Sequence, residues 1–379
     1  MKIVIASDSY KGTNTSWRVA SLIEEGIVKV VPQAQITKVP VADGGEGTVD
    51  AILTALDGEE HKVMVKGPLW APKEALWGSA GDTAVMEMAE ASGLPILKGE
   101  ELNPLKATTY GTGEMIREAL DRGFRKIIIG IGGSATNDGG MGMAQALGAR
   151  FYDSEGKEIP EGAGGGDLAR VAQADLSGLD PRLTELSMTV ACDVTNPLLG
   201  KEGATYTYGK QKGATPEMQK ELEGGLASYA DILAESLGED YRNKPGAGAA
   251  GGLGFGLVAI CGAEIRSGIK TILDFIGLDE HIKEADLVIT GEGKIDGQSL
   301  YGKVPVGIAE RCQPLNKPLL AIVGDIGPGT EKAYELGIDS IMSTVNKAMP
   351  LKDALDNSSE LLVEAAERAM RMIMIGTEL

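Results

Sequence analysis

The chain has 379 residues, long for a single core, so two domains are expected, and its 43% hydrophobic content is ordinary for a globular protein. A formal charge of −19 argues against nucleic acid as a partner. Glycine supplies 53 residues, about twice the usual ~7%, and clusters at strand ends, which excludes collagen-like and disordered readings.

Lys2-Ile3-Val4-Ile5-Ala6 predicts a first strand. Val19, Leu22, Ile23, Ile27 and Val30 then recur at helical spacing, with Asn14, Thr15 and Ser16 as candidate caps. A second strand is predicted over 36–41 and a helix through Val49, Ile52, Leu53 and Leu56. This β-loop-α-β-loop-α opening implies a parallel sheet. Strands over 61–65 and 75–79 are split by a hairpin-like turn at Gly67-Pro68-Leu69, and 83–88 predicts another strand. A helix follows over 113–120, then a strongly apolar strand over 126–131 and a helix over 141–147. Further on come a strand over 188–191 and a surface helix over 217–237. Strands over 287–290, 319–323 and 340–345 and a helix over 359–375 close the chain.

The fold class expected is α/β with two α/β domains. Residues 1–60 and 285–379 form a discontinuous, doubly wound, Rossmann-like parallel-sheet domain. Residues 61–284 form a second α/β domain inserted in it, with the ligand site in the interdomain cleft. The uncharged stretch 246–263 contains seven glycines over 18 residues. It predicts a buried, closely packed helix with its leading loop, and a membrane span is not expected. Met1-Lys2 runs directly into a strand that Asp8 ends early, so no secretory signal is expected. Cys192, Cys261 and Cys312 lie far apart, which fits free thiols in a reducing cytoplasm. His61 and His281 are read as surface residues, and two histidines exclude a multi-histidine metal site. Trp17, Trp70 and Trp77 are read as packing residues.

Six short runs of glycine with Asp, Asn, Glu or Ser carry most of the chemical signal. They are Ser7-Asp8-Ser9-Tyr10-Lys11-Gly12, Ala42-Asp43-Gly44-Gly45-Glu46-Gly47, the segment 130–140, Cys192-Asp193-Val194-Thr195-Asn196, Gly291-Glu292-Gly293-Lys294-Ile295-Asp296-Gly297, and Gly302-Lys303-Val304-Pro305. All but the last follow an apolar run that reads as a strand, and loops at strand ends are where α/β proteins place ligands. Glycine lets backbone N–H groups approach phosphate, and carboxylates hold a metal. Phosphoryl transfer needs little more than such positioning and charge neutralisation. In the segment 130–140, Gly130, Gly132 and Ala135 fit a dinucleotide fingerprint, with Asp153 about 20 residues on. The alternative is a wider phosphate cradle with the Ser134 and Thr136 hydroxyls, because Asn137-Asp138-Gly139-Gly140 postpones the helix.

Seven ordered motifs then resemble the bacterial type I glycerate kinases from end to end. They are Met1-Lys2-Ile3-Val4-Ile5-Ala6, Asp8-Ser9-Tyr10-Lys11, Pro40-Val41-Ala42-Asp43-Gly44-Gly45-Glu46-Gly47-Thr48, the segment 130–140, Ala191-Cys192-Asp193-Val194-Thr195-Asn196-Pro197-Leu198, Pro245-Gly246-Ala247-Gly248-Ala249-Ala250-Gly251-Gly252, and Ile289-Thr290-Gly291-Glu292-Gly293. The resemblance implies ATP- and Mg²⁺-dependent phosphorylation of D-glycerate, generally to 2-phosphoglycerate, in glyoxylate or sugar-acid catabolism. Ser7 stands where the family usually has proline, and Thr13-Asn14-Thr15-Ser16-Trp17 replaces a Ser-Leu-Ser-Ala-type run.

The roles expected are these. Asp296, Lys303 and Lys11 are catalytic, with Asp296 orienting the attacking hydroxyl or accepting its proton. Gly132, Gly133, Ser134, Asn137 and Asp138 bind the nucleotide. Asp8, Asp43, Glu46, Asn196 and Lys294 bind glycerate. Asp193 and Glu292 hold Mg²⁺, directly or through water. No membrane or nucleic-acid partner is expected, and the oligomeric state stays open. Rival readings are the same kinase giving 3-phosphoglycerate, an NAD-dependent hydroxy-acid dehydrogenase, and a non-catalytic sugar-acid sensor.

Overall fold

A computed structural model describes residues 1–297 and 302–377. The strands, in chain order, are β1 (Lys2–Ile5), β2 (Gln35–Lys38), β3 (Glu59–Lys66), β4 (Pro72–Ala80), β5 (Thr83–Glu87), β6 (Lys126–Gly130) and β7 (Arg150–Tyr152). They continue with β8 (Gln173–Asp175), β9 (Ser187–Ala191), β10 (Glu264–Arg266), β11 (Leu287–Ile295), β12 (Leu319–Ile326) and β13 (Ser340–Ser343). Two compact units result. One comprises Met1–Asp43, Asp50–Asp57 and Ser267–Leu379; the other comprises Gly44–Val49 and Gly58–Arg266.

The first unit is built on the parallel sheet β13-β12-β11-β1-β2. The apolar parts of its central strands β1, β11 and β12 are buried on both faces because helices cover both. Ile3, Ile5, Ile289 and Ile322 pack with helices Ser16–Val28 and Ser358–Thr377, through Val19, Ile23, Leu362, Ala366 and Met370. Thr15 caps the first of these helices by accepting from the Arg18 N–H. Val4, Val288 and Ala321 alternate with that set and are also buried. Helix Val304–Cys312 contacts β11 and β12. The chain leaves β1 toward β2 and leaves β11 toward β12, so the connections diverge between β1 and β11. Ligands gather at such a switch point, outside the carboxyl ends of the strands.

Three features of this unit differ from the sequence reading. β11 continues through the expected Glu292 loop to Ile295, and β12 continues to Ile326. The two strands sustain each other there, with Glu292 opposite Val323 and Lys294 opposite Asp325. Gly291 permits this pairing: a Cβ there would lie 2.3 Å from the Ile322 carbonyl oxygen. Finally, residues 267–284, expected in the inserted part, belong to the first unit. Their apolar side chains Ile269, Ile272, Leu273, Leu278 and Ile282 are buried, and Gly307 makes room for Ile269.

The second unit holds a six-stranded sheet, β10-β9-β6-β5-β4-β3. It is parallel from β10 to β5 and antiparallel from β5 to β3. The turn signal at Gly67 forms the β3–β4 connection, with the Gly67 N–H donating to the Ala71 carbonyl at 2.7 Å. The small β7–β8 pair had no counterpart in the sequence reading. Trp77, Met86, Ile129, Phe151, Tyr229 and Phe255 lie in the core. The glycine-rich stretch becomes helix Ala249–Cys261, whose start winds through left-handed Ala250, Gly251 and Gly252. No described helix is long and apolar enough to cross a membrane.

Glu87, at the end of β5, ties the segment Gly44–Val49 to this unit by accepting from the Val49 N–H at 2.9 Å. A carboxylate near the start of helix Thr48–Leu56 also complements the helix dipole. Burial nevertheless pushes the Glu87 carboxyl up to about 7, against hydrogen bonds from Val49, Gly47 and Thr48.

Candidate functional site

A cavity of about 860 Å³ opens in the first unit beside the switch point. β1 delivers Asp8, Ser9, Tyr10 and Lys11 to it; the turn after β2 delivers Asp43. β11 delivers Glu292, Gly293 and Lys294, and Lys303 reaches it from the residue before helix Val304–Cys312. Six of the residues singled out in the sequence thus share one cavity: Asp8, Lys11, Asp43, Glu292, Lys294 and Lys303.

Asp8 is held firmly. Its carboxylate accepts from the Ser9 N–H at 2.6 Å, and its own N–H donates to the Gly291 carbonyl. Ser7, the departure from the usual proline, donates its hydroxyl to the same carbonyl at 3.1 Å, so it braces this loop. Asp8 is only 6% exposed. Burial, and next the Asp43 carboxylate, push its carboxyl up to about 7, against the Ser9 hydrogen bond and the Lys11 charge. A carboxyl with this pKa, lining a cavity among lysines, has the character of a general base near neutral pH.

Glu292 is buried, with the Lys303 ammonium 3.5 Å from its carboxylate. Asp296 is not among the cavity's lining residues. It lies past the end of β11, with the Lys294 ammonium at 3.4 Å. Asp8, by contrast, lines the cavity. β11 runs on to Ile295, so Asp296 follows a strand and not a free loop.

Glu46, Gly132, Gly133, Ser134, Asn137, Asp138, Asp193 and Asn196 belong to the second unit. There the segment Gly44–Gly47 and the segment 130–140 meet. A Cβ on Gly130 would lie 2.4 Å from the Gly44 carbonyl oxygen. Gly130→Ala should therefore cost about 1–3 kcal/mol, since backbone has to move; a fall in melting temperature checks it. Gly132, Gly133 and Glu46 are exposed, while Ser134, Asn137 and Asp138 are buried.

The buried part of the segment is a frame. Asp138 accepts from the N–H and hydroxyl of Thr109, both at 2.8 Å, and from the N–H groups of Gly140 and Gly142. The Asn137 amide donates to Thr205 at 3.1 Å. These two residues order the loop, whereas the Gly132-Gly133 stretch is exposed. Asn196 is likewise engaged, donating to the Glu202 carbonyl and accepting from Tyr208. Asp193 is exposed. The dinucleotide reading of 130–140 lacks its helix: the next one, Met141–Ala146, starts only after Gly140. A dinucleotide fold opens that helix within the glycine pattern.

Lys212 escaped the sequence reading. It is 1% exposed, and its ammonium donates to the Ser134 hydroxyl at 2.7 Å and the Thr136 carbonyl at 2.6 Å. Burial pulls its pKa down to about 7, against the attraction of Asp138. Nothing in Lys210-Gln211-Lys212-Gly213 marks one lysine as buried; only the packing of distant segments does. Lys212→Met should destabilise the protein by about 1–3 kcal/mol, because Ser134 and the Thr136 carbonyl lose a buried donor. Denaturant titration checks this.

No group of three His, Cys, Asp or Glu among the described residues is arranged to hold a metal alone. Trp77 is fully buried, as expected of a packing residue, whereas Trp17 is 42% exposed beneath the Lys38 ammonium.

The glycerate kinase family model matches residues 3–374. A glycerate kinase from Halalkalibacterium halodurans is 48% identical over 366 residues, covering 96% of each chain. A glycerate 2-kinase from Escherichia coli is 47% identical over 378 residues, covering 99% of each. A crystal structure from Salmonella typhimurium LT2, of a protein provisionally assigned as glycerate kinase 2, superimposes with a TM-score of 0.89 at 47% identity over the whole of both chains. With its motifs, its doubly wound sheet and its paired carboxylates and lysines at the switch point, this chain belongs to the glycerate kinase family.

Proposed function

We propose that the protein transfers the γ-phosphoryl group of ATP to the 2-hydroxyl of D-glycerate, giving 2-phosphoglycerate, in sugar-acid or glyoxylate catabolism in the cytoplasm. The observation that carries this reading is the end-to-end match to a glycerate 2-kinase. The cavity chemistry supports it. Asp8 accepts the proton of the attacking hydroxyl. Lys11 and Lys303 neutralise charge on the transferring phosphoryl group, and Lys294, held beside Asp296, faces the glycerate carboxylate. Asp43 positions the substrate hydroxyls. Gly132 and Gly133 offer exposed backbone to the triphosphate, and Glu46 and Asn196 belong to the same unit.

Mg²⁺ shields phosphate charge in such reactions. The oxygen donors of Glu292 and Asp193 suit it chemically. Mg²⁺ keeps several waters and takes one or two carboxylates plus phosphate oxygens, so a preformed three-carboxylate cage is not required.

The test is ATP, Mg²⁺ and D-glycerate followed by ³¹P NMR. A phosphomonoester coupled to the C2 proton is expected. A C3 ester would keep the kinase and overturn the regiochemistry. ATP left unchanged would overturn the kinase reading.

A further inference from the structure

The cavity in the first unit is far larger than glycerate needs. At about 860 Å³ it falls in the range of sites that hold drug-sized ligands. A three-carbon acid fills a small part of it. The two ends also differ in chemistry. Asp8, Lys11, Asp43, Glu292, Lys294 and Lys303 line one, whereas Ile326, Val345, Met349, Leu351 and Leu355 line the other. Ile326 is 45%, Leu355 47% and Leu351 74% exposed, so this apolar surface faces solvent in the protein alone.

We propose that this apolar end is the nucleoside site of ATP, taking the purine ring against Val345, Met349, Leu351 and Leu355. The inference rests on the kinase reading for the identity of the ligand. Three observations carry it. First, an apolar lining continuous with a lysine-bearing pocket matches a ligand with a flat apolar body and a polyanionic tail. Second, the apolar residues sit at and beyond the carboxyl ends of β12 and β13 and on the helix Leu351–Asp356, on one side of the switch point. Third, polar groups suited to a ribose and a base edge line the same cavity. Asp325, at the carboxyl end of β12, lines the cavity with Ser343 and Thr344. An acidic side chain at a strand end suits ribose hydroxyls. The triphosphate then runs toward Lys294 and Lys303.

The test uses the whole protein, photolabelled with 8-azido-ATP and mapped by peptide mass spectrometry, beside steady-state kinetics of Leu351→Glu. Leu351 is mostly exposed, so the variant should fold. Label protected by ATP on residues 340–356, with KM for ATP raised about tenfold or more and KM for glycerate within about twofold, is expected. Label on 130–140 instead, or an unchanged KM for ATP, would overturn the inference and leave the kinase reading intact. Label on 340–356 without glycerate turnover would support the nucleoside site while overturning the choice of acceptor. No ATP-protected label anywhere would overturn the nucleoside site.

Discussion

Asp8→Asn should lower kcat/KM by roughly 10²–10⁴-fold, the scale of general acid–base help. The wild-type enzyme should show an acidic limb in kcat/KM near pH 7, because the Asp8 carboxyl is pushed up to about 7 and only its ionised form accepts a proton. The limb should vanish in the residual activity of the variant. Stability should move the other way. A carboxyl whose folded pKa lies above its unfolded value of 3.8 is protonated in both states at low pH, and there it costs nothing. The cost grows as pH rises from about 4 and is complete above about 7, where the folded protein holds a buried charge. It amounts to at most about 4 kcal/mol, at 1.36 kcal/mol per unit. Asp8→Asn should therefore raise the melting temperature at pH 8 and leave it nearly unchanged at pH 4. A variant as active as the wild type would remove Asp8 from proton transfer. Asp296→Asn is the companion measurement, because Asp296 lies outside the cavity lining beside Lys294.

Lys303→Met should lower kcat and kcat/KM together by about 10²–10³-fold, the loss seen when one donor to transition-state charge is removed. Lys303 stands before the first turn of helix Val304–Cys312, so its charge adds to that of the helix N-terminus. Its ammonium also lies 3.5 Å from the Glu292 carboxylate, which is 4% exposed. Losing it leaves Glu292 with less compensation, so the variant should also melt earlier. Lys303→Arg keeps the charge and should recover part of both losses. A kcat within about threefold of wild type would place the phosphoryl charge on Lys11 or Lys294 instead.

Much of the architecture was legible because its signals are local. Alternating and continuous apolar runs marked β1, β6, β9 and β12, and 3.6-residue spacing marked the helices Ser16–Val28 and Ser358–Thr377. The order of these elements implied a parallel sheet, and strand-end glycines marked Asp8, Asp43 and Glu292. The length of β11 was not legible. Gly291-Glu292-Gly293-Lys294 reads as a loop alone and becomes a strand only when β12 pairs with it. The segment 267–284 likewise chose its unit through the fit of Ile269 against Gly307.

Residue types and periodicity by themselves determined the α/β class and the pool of acidic and basic groups, and seven ordered motifs carried the resemblance to the family. The tertiary structure decided which of them lie together. Asp8 and Asp296 are both aspartates just past the end of a strand, and only the surroundings contributed by distant segments leave one lining the cavity and the other beside Lys294. Lys212 and Lys210 sit in one short stretch, yet one is buried against Ser134 and the other is exposed. Burial and charge neighbours set a pKa, and both are properties of contacts between residues far apart in the chain. That is why the sequence could name the candidates and only the folded packing could rank them.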